Sequence, residues 1–150
     1  MRLIIRIPLL ALLLFAPMAA SLHAASNDQV SVRAILVSAS KEPGKSDGRL
    51  SAYESTLRRI LRFESFQQLG SGRGRAAVPG EGSVSVGQGQ SLQFVTESSQ
   101  DDRLRVKLTW KGGGRTFMRT GLVLRPGVPA VLGGPSQKNG NVYALIVIAE

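Results

Sequence analysis

From Ser83 onward the chain breaks into six short runs rich in apolar and β-branched residues: Ser83 to Val86, Ser91 to Glu97, Arg103 to Lys111, Arg115 to Leu124, Val128 to Leu132 and Val142 to Ala149. Gly, Pro, Asn or Asp separates each from the next, and these are the residues that reverse a chain. The spacing predicts a meander of antiparallel strands. Val142 to Ala149 is almost continuously apolar, which suits a central strand covered on both faces. Val30 to Ser38 turns apolar on both faces from Ala34 to Val37 and predicts another interior strand.

One helix is expected between these strands. Leu50, Tyr53, Leu57, Ile60 and Leu61 follow a 3.6-residue period, and Ser51 with Glu54 fits the S-x-x-E capping box. Arg58, Arg59 and Arg62 gather toward the C-terminal end, where the helix dipole favours cations. Lys41 to Gly48 reads as a connecting loop, and Phe63 to Leu69 as a short edge strand after the helix. Gly70 to Gly82 holds five glycines, two arginines and a proline and is expected to be a loop. Its Gly70-x-Gly72-x-Gly74 run lacks the strand before it and the helix after it that a phosphate-cradling loop needs. The expected fold class is α+β, with one amphipathic helix packed on a mainly antiparallel sheet and a small sandwich as the alternative arrangement. Its inner face is expected to include Leu36, Leu57, Leu61, Leu104, Val106, Leu108, Leu122 and Ile146.

The clearest alternation runs through Leu104, Val106, Leu108 and Trp110, set between Arg103, Arg105, Lys107, Thr109 and Lys111. A three-residue loop at Gly112, Gly113 and Gly114 would pair Lys111 with Arg115, Leu108 with Met118 and Leu104 with Leu122. The same count sets Lys107 beside Arg119 and Phe117 beside Thr109. One face of this hairpin is then core and the other cationic. Arg105, Lys107, Arg115, Phe117 and Arg119 are the candidate binding residues, the arginines as forks for carboxylate or phosphate and Phe117 as an apolar anchor. The bland alternative is a solvated face that also guards the sheet against edge-to-edge association. A nucleic-acid face would interleave several stacking aromatics with its cations, and only Phe117 qualifies.

Residues 1–25 read as a secretory signal: Arg2 and Arg6 make a positive start, Leu9 to Phe15 an apolar run, and Ala19 to Ala25 a small-residue exit. The run between Arg6 and Pro17 is about half the roughly 20 apolar residues that a spanning helix needs. Residues 26–150 then form a single domain, exported to the periplasm or beyond and soluble after cleavage. Losing Arg2 and Arg6 takes the net charge from +9 to +7. That balance favours an envelope protein or an anionic envelope polymer as partner, with peripheral membrane contact, rather than nucleic acid.

The chain has no Cys, and its one histidine, His23, falls in the signal. The mature domain therefore lacks the ligands of the common zinc sites and the base of a histidine triad, and no metal or cofactor is expected. Ser38-Ala39-Ser40-Lys41 fits the S-x-x-K motif of penicillin-binding proteins, but it ends a strand instead of opening a helix, and no K-T-G follows. Asp101-Asp102 reads as a turn former.

The segment Leu122-Val-Leu-Arg-Pro-Gly-Val-Pro-Ala-Val-Leu-Gly-Gly-Pro135, followed by Gly140-Asn-Val-Tyr-Ala-Leu-Ile-Val-Ile-Ala-Glu150, resembles the closing strands of the outer-membrane secretin domain. No counterpart of a secretin's membrane hairpins or ring domains is visible, so the resemblance implies a β fold and no pore. The arrangement is also similar to small exported bacterial β-rich proteins of unassigned role, for which the likeness implies a fold and no activity. The functional expectation is a non-enzymatic interaction module of the cell envelope, part of or accessory to an export assembly, docking an anionic partner through the cationic hairpin face. The alternatives are an envelope ligand-binding protein with an apolar pocket between helix and sheet, and an extracytoplasmic serine hydrolase using Ser38 or Ser40.

Overall fold

The structure is a computed structural model that describes residues 28–150; the expected signal lies outside the described residues. In chain order the elements are β1 (Gln29–Ser40), a 3-10 turn (Gly48–Leu50), α1 (Glu54–Leu61), β2 (Ser65–Ala77), β3 (Gly80–Gly87), β4 (Gln90–Gln100), β5 (Arg103–Gly112), β6 (Arg115–Leu124), β7 (Ala130–Ser136) and β8 (Val142–Ala149). They form two four-stranded antiparallel sheets, ordered β2-β1-β8-β7 and β3-β4-β5-β6. Strand accounts for 65% of the described residues and helix for 9%. The mainly antiparallel β-rich part of the expectation holds, with the two sheets packed as a sandwich on a shared core, while the α+β class is corrected: the one helix is short and only covers one sheet. The meander expected from Ser83 stops at β6, since β7 and β8 cross to the first sheet.

Two apolar layers follow from the alternation of β1. Val32, Ala34 and Leu36 point between the sheets, where they meet Leu92 and Phe94 of β4, Leu104, Val106, Leu108 and Trp110 of β5, and Leu145 and Val147 of β8. Ile35, Val37 and Ala39 point the other way and join Ala144, Ile146 and Ile148 of β8 beneath Leu50, Leu57 and Phe66. β1 and β8 are thus buried on both faces, as their unbroken apolar runs require. The expected inner residues divide between these layers, with Leu57, Leu61 and Ile146 on the helix side and Leu36, Leu104, Val106, Leu108 and Leu122 between the sheets. Truncating one such buried Leu costs roughly 2–5 kcal/mol, so each layer is a large share of a domain's net stability.

The segment expected as a loop, Gly70 to Gly82, is instead the body of β2 and the start of β3. Gly70, Gly72 and Gly74 pair with Leu36, Ala34 and Val32, which puts all three on the face that looks across to the other sheet. There the backbone of β3 lies directly on them. A Cβ added at Gly70 would stand 2.0 Å from the Val86 carbonyl oxygen, at Gly72 2.2 Å from that of Ser85, and at Gly74 2.6 Å from that of Ser83. The glycines are read as breakers in isolation, but here their missing side chains let two strands approach far closer than the usual spacing of about 10 Å between packed sheets. Thr96 helps to fix this corner, its hydroxyl lying 2.5 Å from the Ala77 carbonyl oxygen and 3.1 Å from that of Gly80.

The helix is shorter than its periodicity predicts. Its N-cap is Tyr53, with no side-chain capping bond, so the Ser51–Glu54 box is not formed. Glu54 instead accepts from Arg58 at 2.9 Å, which also reaches Glu64 at 3.6 Å. Ile60 is exposed, while Leu57 and Leu61 face the sheet. The connection before the helix is held as a strap along the start of β2. Asp47 N–H donates to the Phe66 carbonyl, Phe66 N–H to the Ser46 hydroxyl, and the Gln67 amide to the Lys45 carbonyl. Asp47 Oδ1 accepts from the Arg49 backbone at 3.0 Å and Oδ2 from its guanidinium at 2.6 Å. These charge-assisted bonds, with a longer one from Gln68 N–H, hold the Asp47 carboxyl well below the usual carboxylate range.

Two outcomes follow from this packing. Gly72→Ala should cost about 2 kcal/mol or more in urea unfolding, because neither backbone can yield cheaply. Gly121→Ala, whose added Cβ would have no neighbour closer than 3.9 Å, should be close to neutral. The Asp47 contribution is full above the unfolded carboxyl pKa, about 3.8, and is lost as pH falls below it toward the depressed folded value. Between about pH 5 and pH 2, the melting temperature of Asp47→Asn should therefore fall less steeply than that of the parent; equal slopes would remove the ionised carboxylate from the account.

Candidate functional site

β5 and β6 are joined by a two-residue loop, Gly113 and Gly114, both at positive φ (55° and 74°), the conformation that tight hairpin loops demand. The expected three-residue loop is corrected: Gly112 faces Arg115, and Lys111 faces Thr116. One extra residue, Phe117, is then accommodated as a bulge before Trp110 meets Met118. The bulge shifts the rest of the register, so Thr109 opposes Arg119, Leu108 opposes Thr120, Lys107 opposes Gly121, and Leu104 opposes Leu124.

This shift sorts the candidate residues. Arg105 and Lys107 alternate with the buried Leu104, Val106 and Leu108, and Arg119 shares a face with Thr109, so these three stand together on the outer face of the second sheet. Arg115 sits at the hairpin tip opposite Gly112, in the alternation of the inner positions. Phe117 leaves the cationic face altogether. Its ring packs against the inter-sheet core, edge-on to Trp110 at 5.8 Å between centroids and 86° between planes, above the space that a side chain at Gly112 would fill. Trp110 itself lies on Gly134 of β7 and donates its indole N–H to Gln90 Oε1 at 2.9 Å, so the aromatic pair serves the fold.

Residues from β4 complete the outer face, and these the alternation of Ser91, Gln93, Val95 and Glu97 would have supplied. Val95 opposes Lys107 and Gln93 opposes Thr109. Val95 and Val123 are exposed, which leaves apolar surface beside the cations. Three shallow depressions lie on this face and converge on Lys107. One of about 490 Å³ extends toward Glu81 and Gln93, one of about 330 Å³ toward Arg119 and Gly121, and one of about 260 Å³ toward Glu97 and Val123. Gly121 supplies the floor between the last two, a role that its position in a strand interior signals only once the register is known.

The electrostatics are uneven. Lys107 Nζ meets Glu97 Oε1 at 2.9 Å, while Arg105, Lys111 and Arg119 are in no ion pair among the described residues. Elsewhere Arg49, Arg58 and Arg73 are each matched with a carboxylate, while Arg33, Arg59, Arg62 and Arg75 are, like the three on this face, in no ion pair among the described residues. The unmatched guanidiniums are free to fork onto carboxylate or phosphate oxygens.

The alternative sites find less support. Between α1 and its sheet, Ile35, Val37, Leu50, Leu57, Phe66 and Ile146 are all buried against one another, and that layer is filled core. Ser38 Oγ accepts from the Gln137 side chain at 2.7 Å and Ser40 Oγ from Glu42 N–H at 3.2 Å, and neither meets a lysine or acid side chain. Among the described residues no group of three His, Cys, Asp or Glu is placed to hold a metal ion, and no helix is long and apolar enough to cross a membrane. Comparison with protein-family models, curated proteins and solved structures found no match. Since Arg119 has no ion pair to lose, Arg119→Gln should change unfolding free energy by less than about 0.5 kcal/mol; a larger loss would make it a structural residue.

Proposed function

We propose that the protein is a non-enzymatic, exported interaction module of the cell envelope, part of or accessory to an export assembly, that docks an anionic partner through the outer face of the β3-β4-β5-β6 sheet. The observation that carries this reading is the clustering of cations on one face, where Arg105, Lys111 and Arg119, in no ion pair among the described residues, stand around Lys107, itself paired with Glu97. Exposed charges of one sign repel their neighbours and contribute little to stability, so a partner is the natural counterpart of such a face. Its shallow relief and exposed Val95 and Val123 suit a broad macromolecular contact better than an enclosed small ligand.

The test is retention on immobilised poly-L-glutamate at low and high salt. The parent should bind at low ionic strength and be released as screening shortens the reach of its charges. Lys107→Ser with Arg119→Ser should weaken retention roughly tenfold, equivalent to about 1.4 kcal/mol, with little change in melting temperature. Lys41→Ser with Arg59→Ser removes the same charge elsewhere and should leave retention nearly intact. Equal losses in the two double variants would reduce the effect to net charge and overturn the docking face.

A further inference from the structure

β6 is the last strand of its sheet, and among the described residues no backbone group outside β5 bonds to it. At the opposite side of the sandwich the sheet edges β2 and β3 lie closed on each other through Gly70, Gly72 and Gly74. The β6 side has no such seal. A free edge presents a row of unpaired N–H and C=O groups, and proteins commonly protect such edges with charge. Here the two rows of side chains flanking the edge are different in kind. Arg119, Gly121 and Val123 face outward beside Lys107 and Arg105, whereas Met118 and Leu122 face inward and are only partly buried against the core.

We propose that β6 accepts an extended peptide segment of alternating acidic and apolar residues, which adds as a fifth strand to the β3-β4-β5-β6 sheet. The inference rests on the anionic docking reading and gives its partner a chemistry. Main-chain bonds to β6 supply attachment, and alternate side chains supply the choice of partner. Acidic side chains on the outward row would lie beside Arg119 and over Gly121. The absent side chain at Gly121 opens a notch there, between depressions of about 330 and 260 Å³ that both reach Lys107. A carboxylate in that notch meets Lys107 in competition with Glu97, which now lies 2.9 Å from it. Apolar side chains on the inward row would extend the core over Met118 and Leu122. Charge argues against a second copy of this chain as the occupant, because pairing β6 with itself adds a second outward Arg119 to a face that is already cationic and offers it no acidic side chain from β6.

The probe is a fluorescent eight-residue peptide of alternating glutamate and valine, measured by anisotropy beside two backbone-methylated forms. One form carries N-methyl groups on the glutamates and the other on the valines, so charge and composition are almost unchanged. In an added strand only one of these sets of amides faces β6. One methylated form should therefore bind at least tenfold more weakly while the other resembles the parent peptide. Gly121→Val fills the notch in a position with room for a Cβ and should weaken binding with circular dichroism and melting temperature unaltered. If both methylated peptides bind like the parent, strand addition is overturned while the cationic docking face stands. Absence of binding by all three peptides, with no retention on poly-L-glutamate, overturns both. A concentration-dependent dimer that competes with the peptide would identify a second copy as the occupant and overturn the assignment.

Discussion

The contact on which the architecture depends is the one between the backbones of β2 and β3. β2 is hydrogen-bonded to β1 through a ladder from Ser40 to Gln29, yet its inner face carries Gly70, Gly72 and Gly74, with no side chain to place in the core. The carbonyl groups of β3 occupy that space. The sandwich is closed along this edge by main chain lying on main chain, and Val84 and Phe94 fill the corner beside Gly74. The apolar contacts between the sheets, including Leu36, Leu92, Leu108 and Leu145, form one continuous core bounded by that closure. Any side chain on the glycine face would push the sheets apart and open the layer in which Trp110 and Phe94 are packed.

Much of this was legible from alternation alone. β5 shows it most cleanly, because a half-buried antiparallel strand must present Leu104, Val106, Leu108 and Trp110 to one side and its cations to the other. β8 and β1 were legible by the opposite sign, an apolar run on both faces. The glycine strand was not. A glycine carries no apolar signal and weakens a strand taken by itself, so Gly70 to Gly82 reads as a connection in the sequence; its role exists only when the second backbone is in place. The helix reads as longer than it is for a related reason. Ser51 and Glu54 match a capping pattern, but the chain before them is already held by Asp47, and the turn starts there instead.

The candidate site illustrates a finer limit. Arg105, Lys107 and Arg119 were identifiable because their strand faces follow from period two. Their neighbours were not, since the register across the hairpin depends on whether the loop uses two glycines or three. With a two-residue loop and a bulge, Phe117 turns inward to Trp110 and Gly121 takes its place among the features of the outer face as a notch. The change alters the character of the surface. An aromatic anchor is exchanged for a strip of exposed valine and unmatched guanidinium beside a free strand edge, which is better suited to an extended acidic chain than to a stacked base or ring.

Hydrogen exchange across β2 and β3 tests the closure most directly. If Gly70 to Ala76 and Ser83 to Val86 are strands sealed backbone to backbone, their hydrogen-bonded amides should be protected nearly as long as those of β1 and lost only with global unfolding. Exchange in Gly70 to Ala76 as rapid as in the Gln88–Gly89 turn would contradict the account, leaving the glycine run a loop and the sandwich without its closing edge.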